Sequence, residues 1–120
     1  MRPSFIVNAC LTGMVPTKAM NPHVPMTPAE IASDVEACVA LGASMVHVHA
    51  RDEQGAPDWR REAYQPILEA VRRAVPEVII CVSTSGRSVA ELEKRAAGLL
   101  CEPAPDMATL MLGSINFLRD

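Results

Sequence analysis

Apolar positions along the chain fall into short compact runs separated by stretches with helical spacing. Ser4–Cys10 (SFIVNAC), Ser44–Ala50 (SMVHVHA), Val78–Ser83 (VIICVS) and Met107–Leu112 (MATLML) read as four strands. The third is almost continuously apolar, the mark of a strand covered on both faces. Between them the period lengthens. Thr27-Pro28-Ala29-Glu30 opens a helix, with Thr27 as cap, Pro28 at the first helical position and Glu30 closing a capping box. Ile31, Val35, Cys38 and Val39 then recur on one face, and Gly42 ends the helix as a left-handed residue can. A second helix runs from about Arg61 to Val75, with Ile67, Leu68, Val71 and Val75 inward. Its Arg60, Arg61, Glu69, Arg72 and Arg73 are assigned to solvent, and Pro76 closes it. Ser88-Val89-Ala90-Glu91 reads as another capping box, opening a helix to about Leu100 with Leu92, Ala96 and Leu99 inward.

The order is therefore β-α-β-α-β-α-β. Strand starts lie roughly 30 to 40 residues apart, as βαβ units require. Two α/β architectures fit: a small open parallel sheet, or the first half, about four β/α units, of a (β/α)8 TIM barrel of about 250 residues. A free-standing doubly wound domain would cover its last strand with a helix, so half a barrel is favoured. Residues 1–120 are then expected to be the N-terminal part of a single barrel domain, a fragment or truncated chain. The segment from Leu11 to Thr27, punctuated by Pro16, Pro22 and Pro25, is long for a connection. It is either functional or an irregular surface segment pinned by its prolines.

Composition narrows the function classes. The 120 residues are 49% hydrophobic, so a folded domain is expected. A net charge of −3 with both signs interspersed gives neither the basic stripe of a nucleic-acid binder nor a polybasic membrane surface. No apolar run has the length of a transmembrane helix. Cys10, Cys38, Cys81 and Cys101 match no zinc spacing. The first three read as small core residues and Cys101 as close to a surface loop. Nothing calls for a disulfide, which suits a cytoplasmic location.

The candidate chemistry lies at strand ends. Strand side chains alternate faces, so His47 and His49 point the same way and Val46 and Val48 the other. Two imidazoles fit poorly among aliphatic helix side chains, where their nitrogens would go unsatisfied. They belong on the barrel axis near its C-terminal mouth, as a two-toothed platform for a metal such as Zn²⁺. The alternative is a pair of histidines held by hydrogen bonds to carboxylates. A third ligand is needed; the local options are His23 in the long loop and Asp52 after the strand, with His23 also readable as a loop or substrate contact. Ser83-Thr84-Ser85-Gly86-Arg87 offers hydroxyls, a glycine turn and a cation at the next strand end, and reads as a carboxylate or phosphate loop or as a structural turn. Asn8, Thr12-Gly13 and Gly113-Ser114-Ile115-Asn116 place polar or small residues on the same rim. Thr109, within the fourth strand, either reaches the shared cavity or serves as a β-former.

NACLTGMVPTKAMNPHVPMTPAEIA, VHVHARDEQGAP, CVSTSGR, KRAAGLLCEPAPDMA and LGSINF together resemble the β-keto acid cleavage enzymes, whose founding activity is 3-keto-5-aminohexanoate cleavage. The likeness runs nearly from Phe5 to Phe117. It implies a (β/α)8 barrel with catalytic Zn²⁺, and exchange between a β-keto acid and acetyl-CoA giving acetoacetate and a new acyl-CoA. It implies that His47 and His49 bind the metal, and that Ser83, Thr84, Ser85 and Gly86, with Thr109, help hold the keto acid. Where the family often carries a glutamate after the TG pair, this chain has Met14-Val15, which leaves the keto acid open. The family's acidic metal ligand, arginine and aspartate come from a region after Asp120. The isolated chain is accordingly expected to be inactive, and the full-length form to be a homo-oligomer. Two other readings stay open: a different zinc-dependent barrel aldolase or hydrolase, and a non-catalytic metal- or anion-binding α/β module.

Overall fold

The computed structural model of the chain describes residues 5–110. Among these residues four strands, β1 (Asn8–Cys10), β2 (Met45–Val48), β3 (Ile79–Val82) and β4 (Met107–Ala108), form one sheet in the order β1-β2-β3-β4. All three pairings are parallel, with Cys10 beside His47, His47 beside Cys81 and Cys81 beside Met107. Each strand lies next to its predecessor in sequence. A doubly wound sheet would reverse its order at a switch point. The order seen here is instead that of the first half of a (β/α)8 barrel.

Helices α1 (Pro28–Ala40) and α2 (Arg61–Ala74) follow β1 and β2. The start of α1 is the expected capping box: Glu30 N–H donates to Thr27 Oγ1 at 3.2 Å, and Thr27 N–H donates to Glu30 Oε2 at 3.0 Å. A bond from Lys18, with those from Thr27 and Met26, lowers the Glu30 carboxyl to about 2. At the other end Gly42 takes φ +105°, and the N–H groups of Gly42 and Ala43 close onto Val39 and Cys38. A side chain at Gly42 would be strained in that conformation.

The core sits between the sheet and these two helices. Val46, Val48, Ile80 and Val82 meet Ile31, Val35, Leu68 and Val71, all of them fully buried. No helix among the described residues is long and apolar enough to cross a membrane.

Several expectations are corrected. The first strand begins at Asn8 rather than Ser4; Phe5 and Ile6 are largely exposed, because β1 has no neighbour on its far side among the described residues. The segment after Ser88 forms only one α-turn, α3 (Leu92–Arg95), followed by a 3-10 turn at Ala97–Leu100. Glu91 bonds Lys94 instead of reaching back to close a box, and Leu92 and Leu99 face outward. The residue that packs inward is Gly98: a Cβ there would stand 3.3 Å from the Tyr64 ring. Close approach to that ring replaces a leucine stripe. Cys101 is buried, with its thiol toward the Arg61 carbonyl, whereas Cys10 is exposed on the open face. Arg72 is not a free surface charge. It donates to the carbonyls of Pro76 and Val78 and pairs with Asp106, whose carboxylate also accepts Ile80 N–H at 2.8 Å. This clamp joins α2 to the entries of β3 and β4. The end of the fourth strand at Leu112 and the Gly113–Asn116 segment lie outside the described residues.

Candidate functional site

The two faces of β2 carry opposite chemistry. Val46 and Val48 seal the helix side, while His47 and His49, the residue just past the end of β2, stand on the face that no helix among the described residues covers. Their ring centroids are 4.7 Å apart and the rings nearly perpendicular, at 81°. His47 Nδ1 lies 3.4 Å from Sγ of Cys81, its neighbour on β3. His49 Nδ1 is buried and finds no hydrogen-bond partner among the described residues. Burial lowers the pKa of His47. That of His49 falls to about 4, through burial first and then through His47 and Arg51. Both imidazoles are therefore neutral near pH 7, the form in which the ring nitrogen has a lone pair to donate.

The residues after β2 build the rim. Arg51 donates to the carbonyl of Gly13 through Nε at 3.0 Å and Nη2 at 2.8 Å, to that of Pro16 at 3.1 Å and to that of Gly55 at 2.6 Å. It thereby ties the long proline-rich loop to the end of β2. Sequence reasoning missed this role; the signal was an arginine following the histidine strand, opposite a loop too long to hold itself. Asp52 accepts the N–H groups of Gln54 and Ala56 and closes the turn before α2. His23 is exposed in a groove shared with Lys18 and Asp34. Among the described residues no group of three His, Cys, Asp or Glu side chains comes together as a metal site. Neither His23 nor Asp52 is thus brought to the histidine pair.

The loop after β3 closes the other side. Ser83 Oγ accepts Ser85 N–H at 3.4 Å, and Ser85 Oγ accepts Arg87 N–H at 3.2 Å. Thr84 and Thr109 hold one another: Thr109 Oγ1 accepts Thr84 N–H at 3.0 Å, and Thr84 Oγ1 donates to the Thr109 carbonyl. Arg95 donates to the Thr84 carbonyl at 2.9 Å, and its guanidinium lies against Gly86, where a Cβ would meet it at 3.3 Å. Tyr64 donates to the Ser83 carbonyl at 3.2 Å; burial raises its phenol to about 12. A small cleft results, lined by Met14, His49, Tyr64, Ser83, Thr84 and Arg95 among others. The structure thus brings His49 together with Ser83, Thr84 and Ser85, and binds Thr109 into the same rim.

The family model described as beta-keto acid cleavage enzyme matches residues 4–120. The chain belongs to this family. It is 38% identical over 117 residues to the 3-oxoadipate:acetyl-CoA acetyltransferase of Cupriavidus necator, covering 98% of this chain and 40% of that protein. It is also 38% identical over 121 residues to the 3-keto-5-aminohexanoate cleavage enzyme of Fusobacterium nucleatum, covering 100% of this chain and 43% of that protein. The chain therefore spans less than half the length of these relatives. Among solved structures it superposes on the apo structure of ObcA with a TM-score of 0.66 and 26% identity, over 74% of this chain and 23% of that one. The ternary complex of ObcA with a C4-CoA adduct and oxalate superposes with a TM-score of 0.65.

Proposed function

We propose that this chain is the N-terminal part of a single (β/α)8 barrel enzyme that exchanges carbon units between a β-keto acid and acetyl-CoA, releasing acetoacetate and a new acyl-CoA. The observation that carries this reading is the pair of neutral imidazoles, His47 and His49, on the open face of β2 in a chain of this family. The acetyl-CoA in the name of the Cupriavidus relative and the keto acid cleavage in that of the Fusobacterium relative support the reaction class.

The pair suits a divalent metal such as Zn²⁺, with further ligands from outside the described residues. The buried Nδ1 of His49, without a partner among the described residues, is the kind of polar atom that a ligand or water satisfies. The chemistry such an ion supplies is Lewis-acid polarisation of a carbonyl oxygen. The chain's own residues do the rest of what this half of the site contributes. Ser83 and Ser85 already accept backbone N–H groups, so their hydroxyl protons are directed elsewhere, available to a carboxylate. The Thr84–Thr109 bonds fix the rim of β3 against β4, and Arg95 holds the Gly86 turn close. Arg51 keeps the Gly13–Pro16 segment over the cleft, with Met14 in its wall. The proposal includes a cytoplasmic enzyme acting as a homo-oligomer on small molecules.

The test is to incubate the full-length protein with acetyl-CoA and a panel of β-keto acids and to measure acetoacetate and acyl-CoA. Activity lost in His47→Ala and His49→Ala, together with lost metal content, is the expected result. Metal content unchanged in both variants, or no acetoacetate from any keto acid, would overturn the reading.

A further inference from the structure

His47 meets a thiol at hydrogen-bonding distance. Cys81 sits beside it in the sheet register, on the same face, and its Sγ is 3.4 Å from Nδ1. Cys81 is only 6% exposed and His47 only 9%, so water does not readily replace this partner. Two proton arrangements are open to such a pair. If the thiol donates to Nδ1, the imidazole proton sits on Nε2 and that nitrogen has no lone pair to give. If Nδ1–H donates to sulfur, Nε2 is the free base. The second arrangement has somewhere to send the thiol proton, because the Val82 carbonyl lies 3.9 Å from Sγ. Donation then runs one way, from the imidazole to sulfur and from the thiol to the carbonyl.

We propose that Cys81 is a positioning residue: it accepts the Nδ1 proton of His47, locks that tautomer, and leaves Nε2 as the atom that faces a ligand. The inference rests on the reading that His47 binds a metal, but its own subject is the proton on His47. Outer-shell partners of metal-binding histidines commonly fix tautomer and ring angle, and their loss costs about 10- to 100-fold in metal affinity. Cysteine here plays the part more often taken by a carboxylate or a carbonyl. It does so without adding a charge beside two buried imidazoles.

The experiment uses the full-length protein and two variants, Cys81→Ala and Cys81→Ser. Nitrogen NMR of the metal-free protein reads which nitrogen of His47 is protonated; Co²⁺ titration reads affinity and ligand type. Expected are Nδ1–H in the unmodified protein, a shift toward Nε2–H with about ten-fold weaker Co²⁺ binding in Cys81→Ala, and restoration of both in Cys81→Ser. An unchanged His47 tautomer in Cys81→Ala overturns the proposal. So does a sulfur-to-cobalt charge-transfer band that disappears with Cys81, since the thiol would then be a ligand itself. If Co²⁺ fails to bind even the unmodified protein, the metal reading falls, and the tautomer comparison alone still decides the role of Cys81.

Discussion

The two faces of β2 differ by one residue of register and by everything else. Val46 and Val48 are wholly buried among Ile31, Leu68 and Val71, and their packing is complete within this chain. His47 and His49 face a surface bounded by Cys10, Cys81 and the strand-end hydroxyls, where His49 Nδ1 and Thr12 Oγ1 lack partners among the described residues. One face holds the structure; the other is the face we propose for a ligand. Side-chain alternation lets one short extended segment, β2 and the residue after it, serve both, because neighbours in sequence never compete for the same side of the sheet.

Substitutions can break or sharpen that contrast. The largest stability effect belongs to the sealed face: Leu68→Ala in the full-length protein should cost about 2–5 kcal/mol, read by urea unfolding. On the open face, His49→Gln should cost less stability than Leu68→Ala while removing metal binding. Equal stability losses at the two positions would erase the distinction. Next comes the clamp that joins α2 to the entries of β3 and β4. Asp106→Ala strips the acceptor from Ile80 N–H and from Arg72, with an expected loss of about 1–3 kcal/mol. Thr27→Ala removes the α1 cap, at about 1 kcal/mol, and should leave metal affinity unchanged.

The remaining effect is a pH dependence. His49 titrates near 4 in the folded state, against 6.5 for a free imidazole. The unfolded chain therefore binds this proton more readily than the folded one. The contribution of neutral His49 is full above pH 6.5 and is lost as pH falls toward 4. Stability measured across that window should decline in the unmodified protein and decline less in His49→Gln. Identical slopes would mean that the ring is not held neutral by burial.

Much of the fold was legible in residue order. The Thr27–Glu30 box, the Gly42 stop and the α2 stripe stand where local patterning placed them, because each is settled by neighbours within a turn or two. The Ser88 box was misleading for the converse reason. Its residues are right for a cap, but contact between Gly98 and the Tyr64 ring decides the path of that segment. Sheet edges were overestimated, since a run of β-formers becomes a strand only where a partner lies alongside.

The candidate site divides in the same way. Its histidine pair needed only the two-residue period of a strand, and the sequence alone determined that His47 and His49 share a face opposite Val46 and Val48. What surrounds them was decided by tertiary structure. Arg51 reaches back to Gly13 and Pro16, Thr84 bonds Thr109, and Cys81 meets His47. Those partners are more than 20 positions apart in the chain, and no local period encodes which of them will meet. Strand register and crossover length set that, and they exist only once the sheet has formed.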